Sequence, residues 1–256
     1  MINNKIDLRK MKKGIFVNLL IVIFGIFIVL PFANATASFA INSFSCTPTE
    51  VSINGDFSCT AQIINNGDAA GSVGVATLYS DASNWLEQST YAQASGVSVD
   101  PGQTTEVTFS GLRAIKSGGN NGFSKITLDS VTDTNGVDGV TENVIDVAVT
   151  LSNSASSKAA SQSFDTTAEV TAGGNIDVTL TFAASSGGCS IGNQASSKTI
   201  TGMTHSDRQS RSWTVTMGTT GNCIFTISAS ATGSSGVATR TDSASNSNIP
   251  LNIDNV

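Results

Sequence analysis

Few residues in this 256-residue chain could do chemistry, and the lone histidine sits among the most suggestive of them. His205-Ser206-Asp207 combines the three side-chain types of a hydrolase triad. Adjacent residues cannot supply triad geometry, which is spatial and drawn from separated parts of a chain. No Gly-x-Ser-x-Gly elbow accompanies them. A polar loop between strands accounts for the tripeptide. With one histidine and dispersed carboxylates, no acid–base pair can be nominated, so the chain is read as no enzyme.

Two other clusters suit binding. Asp129, Asp133, Asn135, Asp138 and Glu142 crowd the Asn135-Gly136 step, and oxygen ligands this dense suit calcium. Their spacing departs from the EF-hand loop, and Asn-Gly also makes the tip of an ordinary acidic hairpin. No other cofactor is expected. Tyr79, Trp85 and Tyr91 flank a loop at Asp81 to Asn84. Exposed, such rings would stack on sugars and make a glycan-binding loop; buried, they would plug a sandwich core. Trp213 alternates with Val215 and reads as core.

The elements that must position these residues are strands. Phe57, Cys59, Ala61 and Ile63 alternate with Ser58, Thr60 and Gln62, which is the period of a half-buried strand. Asn65-Asn66-Gly67-Asp68 ends it as a turn. Val73, Val75 and Thr77 alternate on the next strand. Asp100-Pro101-Gly102 turns the chain before Val107 and Phe109. Phe123 to Leu128 makes a further strand, and Ile145, Val147, Val149 and Leu151 the last of a first domain. Ser152 to Ser157 is rich in small polar residues and reads as a linker. Beyond it, Gly173-Gly174 turns into Ile176, Val178, Leu180 and Phe182, and Trp213, Val215 and Met217 precede Cys223, Phe225, Ile227 and Ala229. No amphipathic helical period occurs after the N-terminal segment. The expected fold is all-β: two tandem immunoglobulin-like antiparallel β-sandwiches after an N-terminal hydrophobic leader helix. The boundaries are 1–37 for the leader, 38–151, a linker at 152–157, and 158–256.

The four cysteines fall in two well-separated pairs, which makes Cys46–Cys59 and Cys189–Cys223 the natural disulfides of an exported chain. No Cys-x-x-Cys spacing supports a metal or redox alternative.

The leader carries Lys5, Arg9, Lys10, Lys12 and Lys13, then an apolar run from Ile15 to Leu30, then Pro31 and the small residues Ala33 to Ala37. This is the pattern of a secretory signal peptide cut after Ala35 or Ala37. The run is also long enough for an uncleaved membrane anchor. The Lys13-Gly14 step resembles a pilin-type processing site, although Leu19 stands where that family often has Glu. Every version places the remainder outside the cytoplasm. Beyond the leader, eight Lys and Arg face 18 Asp and Glu, a net charge of −10. Nucleic acid and anionic membrane are excluded as partners; the membrane is met only through the N-terminal segment.

The order of Pro48, Gly55, a strand, Asn66-Gly67, a strand closing on Leu78-Tyr79, and Val99-Asp100-Pro101-Gly102 before Val107-Thr108-Phe109 resembles the CARDB domains, cell-adhesion-related β-sandwiches of bacterial and archaeal surface proteins. The cysteine pair is not part of that pattern. The Ser212 to Ala231 hairpin is similar to the penultimate strands of immunoglobulin-like repeats in microbial surface proteins. These resemblances imply a scaffold or binding role on the cell surface. The function expected is an exported structural or adhesion module whose partners are other cell-surface proteins or glycans, with self-assembly open to it. A pilin-like or strand-donating filament subunit and a carbohydrate-binding module are the alternatives.

Overall fold

The computed structural model describes residues 35–81, 83–128, 131–133, 141–185, 188–246 and 249–251. The leader segment therefore lies outside the described residues. The strands are β1 (Phe39–Thr47), β2 (Glu50–Ser52), β3 (Asp56–Asn65), β4 (Gly71–Ser80), β5 (Thr90–Val99), β6 (Thr104–Arg113), β7 (Gly118–Leu128), β8 (Val131–Asp133), β9 (Thr141–Asn153), β10 (Ser163–Gly173), β11 (Ile176–Ala184), β12 (Cys189–Ser190), β13 (Ser197–Met203), β14 (Arg208–Met217), β15 (Phe225–Gly233) and β16 (Thr239–Ser245). The fold is all-β, and nearly every pairing is antiparallel. Among the described strands, β2 runs parallel to its neighbour, β9, and an isolated bridge between Lys158 and Leu251 is parallel as well.

Alternation decides which side chains go inside. Along β3, Phe57, Cys59, Ala61 and Ile63 are buried while Ser58, Thr60 and Gln62 are half-buried. Along β11, Ile176, Val178, Leu180 and Phe182 are buried and their neighbours are not. Each large apolar side chain so placed contributes roughly 1.5–3 kcal/mol. Two clusters result. One gathers Phe44, Ile63, Leu78, Trp85, Phe109, Ile126 and Val144. The other gathers Ile145, Val149, Val170, Leu180, Trp213, Phe225 and Ile227.

Both clusters rest on one nine-stranded sheet that includes β12-β14-β10-β9-β7-β4-β5. A three-stranded sheet, β1-β3-β6, covers the first cluster, and a four-stranded sheet, β13-β11-β15-β16, covers the second. Successive residues of a strand point to opposite faces. Val144 belongs to the first core and Ile145 to the second, so the two covers lie on opposite faces of the shared sheet. β9 is therefore a wall of both sandwiches. Its early residues pair with β7 and β2, and its later ones, Asp146 to Asn153, pair with β10.

This arrangement differs from the boundary drawn on composition. Ile145, Val147 and Val149 serve the second core rather than closing the first, and Leu151 packs against the second core as well. Ser152 and Asn153, expected in a linker, are strand residues opposite Thr167 and Thr166. Ser154 N–H donates to the Asp165 carbonyl, 2.8 Å. Small polar residues suit an exposed strand end as well as a linker, so composition alone cannot separate the two.

Two turns read from the sequence meet at one side chain. Asn65 is fully buried, and its Nδ2 donates to the carbonyls of Ala69 and Val99 at 2.8 and 2.9 Å. Its Oδ1 accepts from Gly67 N–H, 2.9 Å, and Ser38 N–H, 3.1 Å. Gly102 N–H donates to the Asn65 carbonyl, 2.7 Å, tying in the Asp100-Pro101-Gly102 turn.

Both expected disulfides are formed. Cys46 and Cys59 are direct cross-strand partners on β1 and β3, with Cα atoms 4.0 Å apart. Cys189 on β12 belongs to the shared sheet, while Cys223 leads into β15 of its cover. The second bond therefore ties the two layers of its sandwich together.

Candidate functional site

Where the two sandwiches meet, the contacts become polar. Glu50 and Asn143 are cross-strand partners on β2 and β9, facing the second sandwich. Asn143 Nδ2 donates to Glu50 Oε1 at 2.6 Å and to the Asn175 carbonyl at 3.0 Å. Asn143 Oδ1 accepts from Asn175 N–H, 2.9 Å. The Glu50 carboxylate continues into the turn between β15 and β16. It accepts from the Ser235 hydroxyl, from Ser235 N–H at 3.2 Å, and from Val237 and Ala238 N–H at 3.3 and 3.4 Å. Burial alone would raise the Glu50 pKa, but hydrogen bonds from Ser235, Asn143 and Ala238 together hold it below the ordinary carboxylate value. Gly233 completes the fit, because a Cβ there would fall on the Glu50 carboxyl group.

Beside this joint lies a polar groove of about 430 Å³, adjoining a smaller recess of about 200 Å³. Ser117 and His205 line both. The segment entering β7, the β10–β11 turn and the β13–β14 turn supply the walls. The floor is tightly built: a Cβ on Gly118 would lie 2.6 Å from Asn121 Oδ1, and one on Gly119 would lie 2.7 Å from Asn175 Oδ1. Asn121 Nδ2 donates to the Gly118 carbonyl, 3.1 Å, and Asn175 Nδ2 to that of Gly119, 3.4 Å. At the far end, Asp146 is paired with Arg240, 3.3 Å.

The His205-Ser206-Asp207 turn forms part of this groove and is held for structural reasons. Asp207 Oδ2 accepts from Thr204 N–H and Oγ1–H, at 2.8 and 2.9 Å, and these bonds lower its pKa. Ser206 N–H donates to the Ala172 carbonyl, 2.8 Å. The carboxylate orients Thr204, as an Asx-type turn requires, and not the imidazole.

The aromatic loop does not form a platform. Trp85 is fully buried, stacks on Phe57 with ring centres 5.6 Å apart, and meets Phe123 edge-on at 5.4 Å. Its Nε1–H donates to the Gly122 carbonyl, 2.9 Å, so its polar tip is satisfied inside. Tyr91 packs against the first core opposite Leu78, while Tyr79 sits on the other face of β4 with Lys125 Nζ 4.6 Å from its ring centre. A ring between Asn84 and Leu86 carries no periodicity from which its burial could be read. The expectation of a glycan-stacking loop at Trp85 is corrected accordingly.

Of the acidic cluster, Asp129, Asn135 and Asp138 lie outside the described residues, and Asp133 ends β8. Glu142 is described and fully buried, on the Val144 face of β9 opposite Asn121. Neither of its carboxylate oxygens has a hydrogen-bond partner among the described residues, and burial pushes its pKa up to about 8. Among the described residues, no three His, Cys, Asp or Glu side chains gather closely enough to hold a metal.

Glu50, Asn143, Asn175 and Lys116 escape sequence reasoning. The one available signal is Glu142-Asn143, two polar residues heading an otherwise apolar strand.

No protein-family model matches the chain, and no curated protein matches it. Among solved structures, similarity extends to the adhesin InvE of Yersinia pseudotuberculosis, at 16% identity and a TM-score of 0.28, covering 86% of this chain and 61% of that one. A red sea bream transglutaminase gives 11% identity and a TM-score of 0.32, covering 84% of this chain and 31% of that one. An Escherichia coli alpha-2-macroglobulin activated by porcine elastase gives 12% and 0.28, with 86% and 22% covered. The chain thus spans less than two thirds of each of these structures, and at such TM-scores the likeness identifies neither a family nor an activity.

Proposed function

We propose that the chain is an exported cell-surface module, structural or adhesive and without catalytic activity, made of two fused immunoglobulin-like sandwiches of which the first is CARDB-like. The observation that carries this reading is the pair of disulfides, one in each sandwich, because such bonds persist in oxidising compartments and are rare in reducing ones. The leader and the acidic, weakly basic remainder agree with export. The joint around Glu50 favours a rigid spacer or binding body over two independently swivelling domains. The absence of catalysis is supported by the Asp207 carboxylate being engaged by Thr204. Other surface proteins and glycans are the partners such a module meets.

The test is surface labelling of intact host cells with a membrane-impermeant biotin reagent, followed by intact mass measurement with and without reduction. The reading expects a labelled protein beginning at Thr36 or Ser38, lighter before reduction by the hydrogens of two disulfides. An unlabelled protein with free thiols would overturn it. A chain beginning at Ile15 would redirect it to a pilin-like filament subunit.

A further inference from the structure

We infer that the groove between the sandwiches binds a carbohydrate bearing a carboxylate. Its chemistry is complementary to such a ligand on three counts. First, Asn121 Oδ1 and Asn175 Oδ1 accept no hydrogen bond among the described residues, while both Nδ2 groups are engaged. The two amides are pinned over Gly118 and Gly119, so these acceptors are fixed and suit sugar hydroxyl donors. Second, the rim carries a cation that is not paired with a carboxylate among the described residues. Lys116 lines the groove and, among the described residues, makes no salt bridge and donates only to the Ser83 carbonyl at 3.4 Å. His205 also lines the groove and adds a second nitrogen group. Charge-assisted bonds to a carboxylate are stronger than neutral ones. Third, no Phe, Tyr or Trp lines the groove among the described residues, so recognition runs through hydrogen bonds and charge rather than through stacking on a sugar face.

The surroundings sharpen this choice. Beyond the leader the chain carries a net charge of −10, eight cations against 18 carboxylates, which repels anions from the surface at large. An anionic sugar would therefore concentrate beside Lys116, which lines the groove and forms no salt bridge among the described residues. A groove between two rigidly joined bodies is also a usual place for a small-ligand site. The inference concerns binding chemistry alone and stands whether or not the chain is displayed on a cell.

The experiment is surface plasmon resonance with the full chain, disulfides intact, titrated with tetragalacturonate and, separately, with neutral tetragalactose. Lys116→Met and Asn120→Asp are made at exposed positions, where folding is undisturbed; the second places a negative charge at the rim. The expected result is saturable binding of tetragalacturonate, at least about tenfold tighter than tetragalactose. Each variant should weaken the acidic sugar by about tenfold or more with an unchanged melting temperature. Raised salt should weaken it too, as screening requires. Equal responses to the two sugars, no saturation at millimolar ligand, or variants that bind tetragalacturonate like the parent would each overturn the inference.

Discussion

The carboxylate of Glu50 accepts hydrogen bonds from both the backbone and the hydroxyl of Ser235, 185 positions further along the chain. This contact fastens the β15–β16 turn to β2, and with Asn143 it makes the joint between the sandwiches. Glu50→Ala should lower stability by roughly 1–3 kcal/mol, because it leaves buried donors unmet. Glu50→Gln should also destabilise, since the amide Nε2–H₂ donor, if it took the place of Oε2, would face the N–H groups of Val237 and Ala238. Urea unfolding at neutral pH checks both. The Glu50 pKa is depressed on folding, so its contribution is present above the ordinary value of 4.5 and is lost as pH falls through the lower folded value. The parent should therefore lose stability on acidification below about pH 4.5, and Glu50→Gln should lose less.

Glu142 works in the opposite sense. Its folded pKa is raised from 4.5 to about 8, so between those values the unfolded chain releases a proton that the folded chain keeps. Stability then falls as pH rises across that window. Glu142→Gln should remove this slope, raise stability at about pH 8 by roughly 1–3 kcal/mol, and change little at about pH 4. Melting curves of the two proteins across that range decide the matter; parallel curves would mean that the carboxyl is stabilised by a group beyond the described residues.

The strands with clean alternation, such as Ile176 to Phe182 and Phe57 to Ile63, were legible because a sandwich core imposes a period of two. The disulfides were legible because each pair sits within one sandwich. The joint was not. Glu50 occupies a strand of three residues, too short to show any period, and its donors lie far along the chain. β9 was misassigned because a strand with both faces buried carries apolar residues for two cores, and sequence does not reveal which core each face serves. The polar groove is formed by three turns that register only as breaks between strands.

A strand common to both cores predicts joint unfolding. Scanning calorimetry of the oxidised chain should give one transition with equal calorimetric and van't Hoff enthalpies. Two resolved peaks would show that β9 does not couple the sandwiches. Reduction should lower the transition, the bonds closing loops of sequence separation 13 and 34 being worth about 3 and 4 kcal/mol on the chain-entropy account.

Trp85 is a core residue by position, and its removal should register as lost stability. Trp85→Ala should cost about 3–5 kcal/mol, read by denaturant unfolding, while Trp85→Phe should be milder and lose chiefly the bond to the Gly122 carbonyl. With Trp213 also fully buried, intrinsic fluorescence of the parent should be blue-shifted and move red on unfolding.

Because β9 ends inside the serine-rich stretch, cutting there would not release a self-sufficient half. A fragment starting at Lys158 would leave the flank of β10 bare along Thr166 to Gly173. Such an open edge is a template for any extended peptide, and the nearest at hand would be a sibling fragment. The excised fragment should polymerise or precipitate, and supplying residues 141–153 as a separate peptide should keep it in solution.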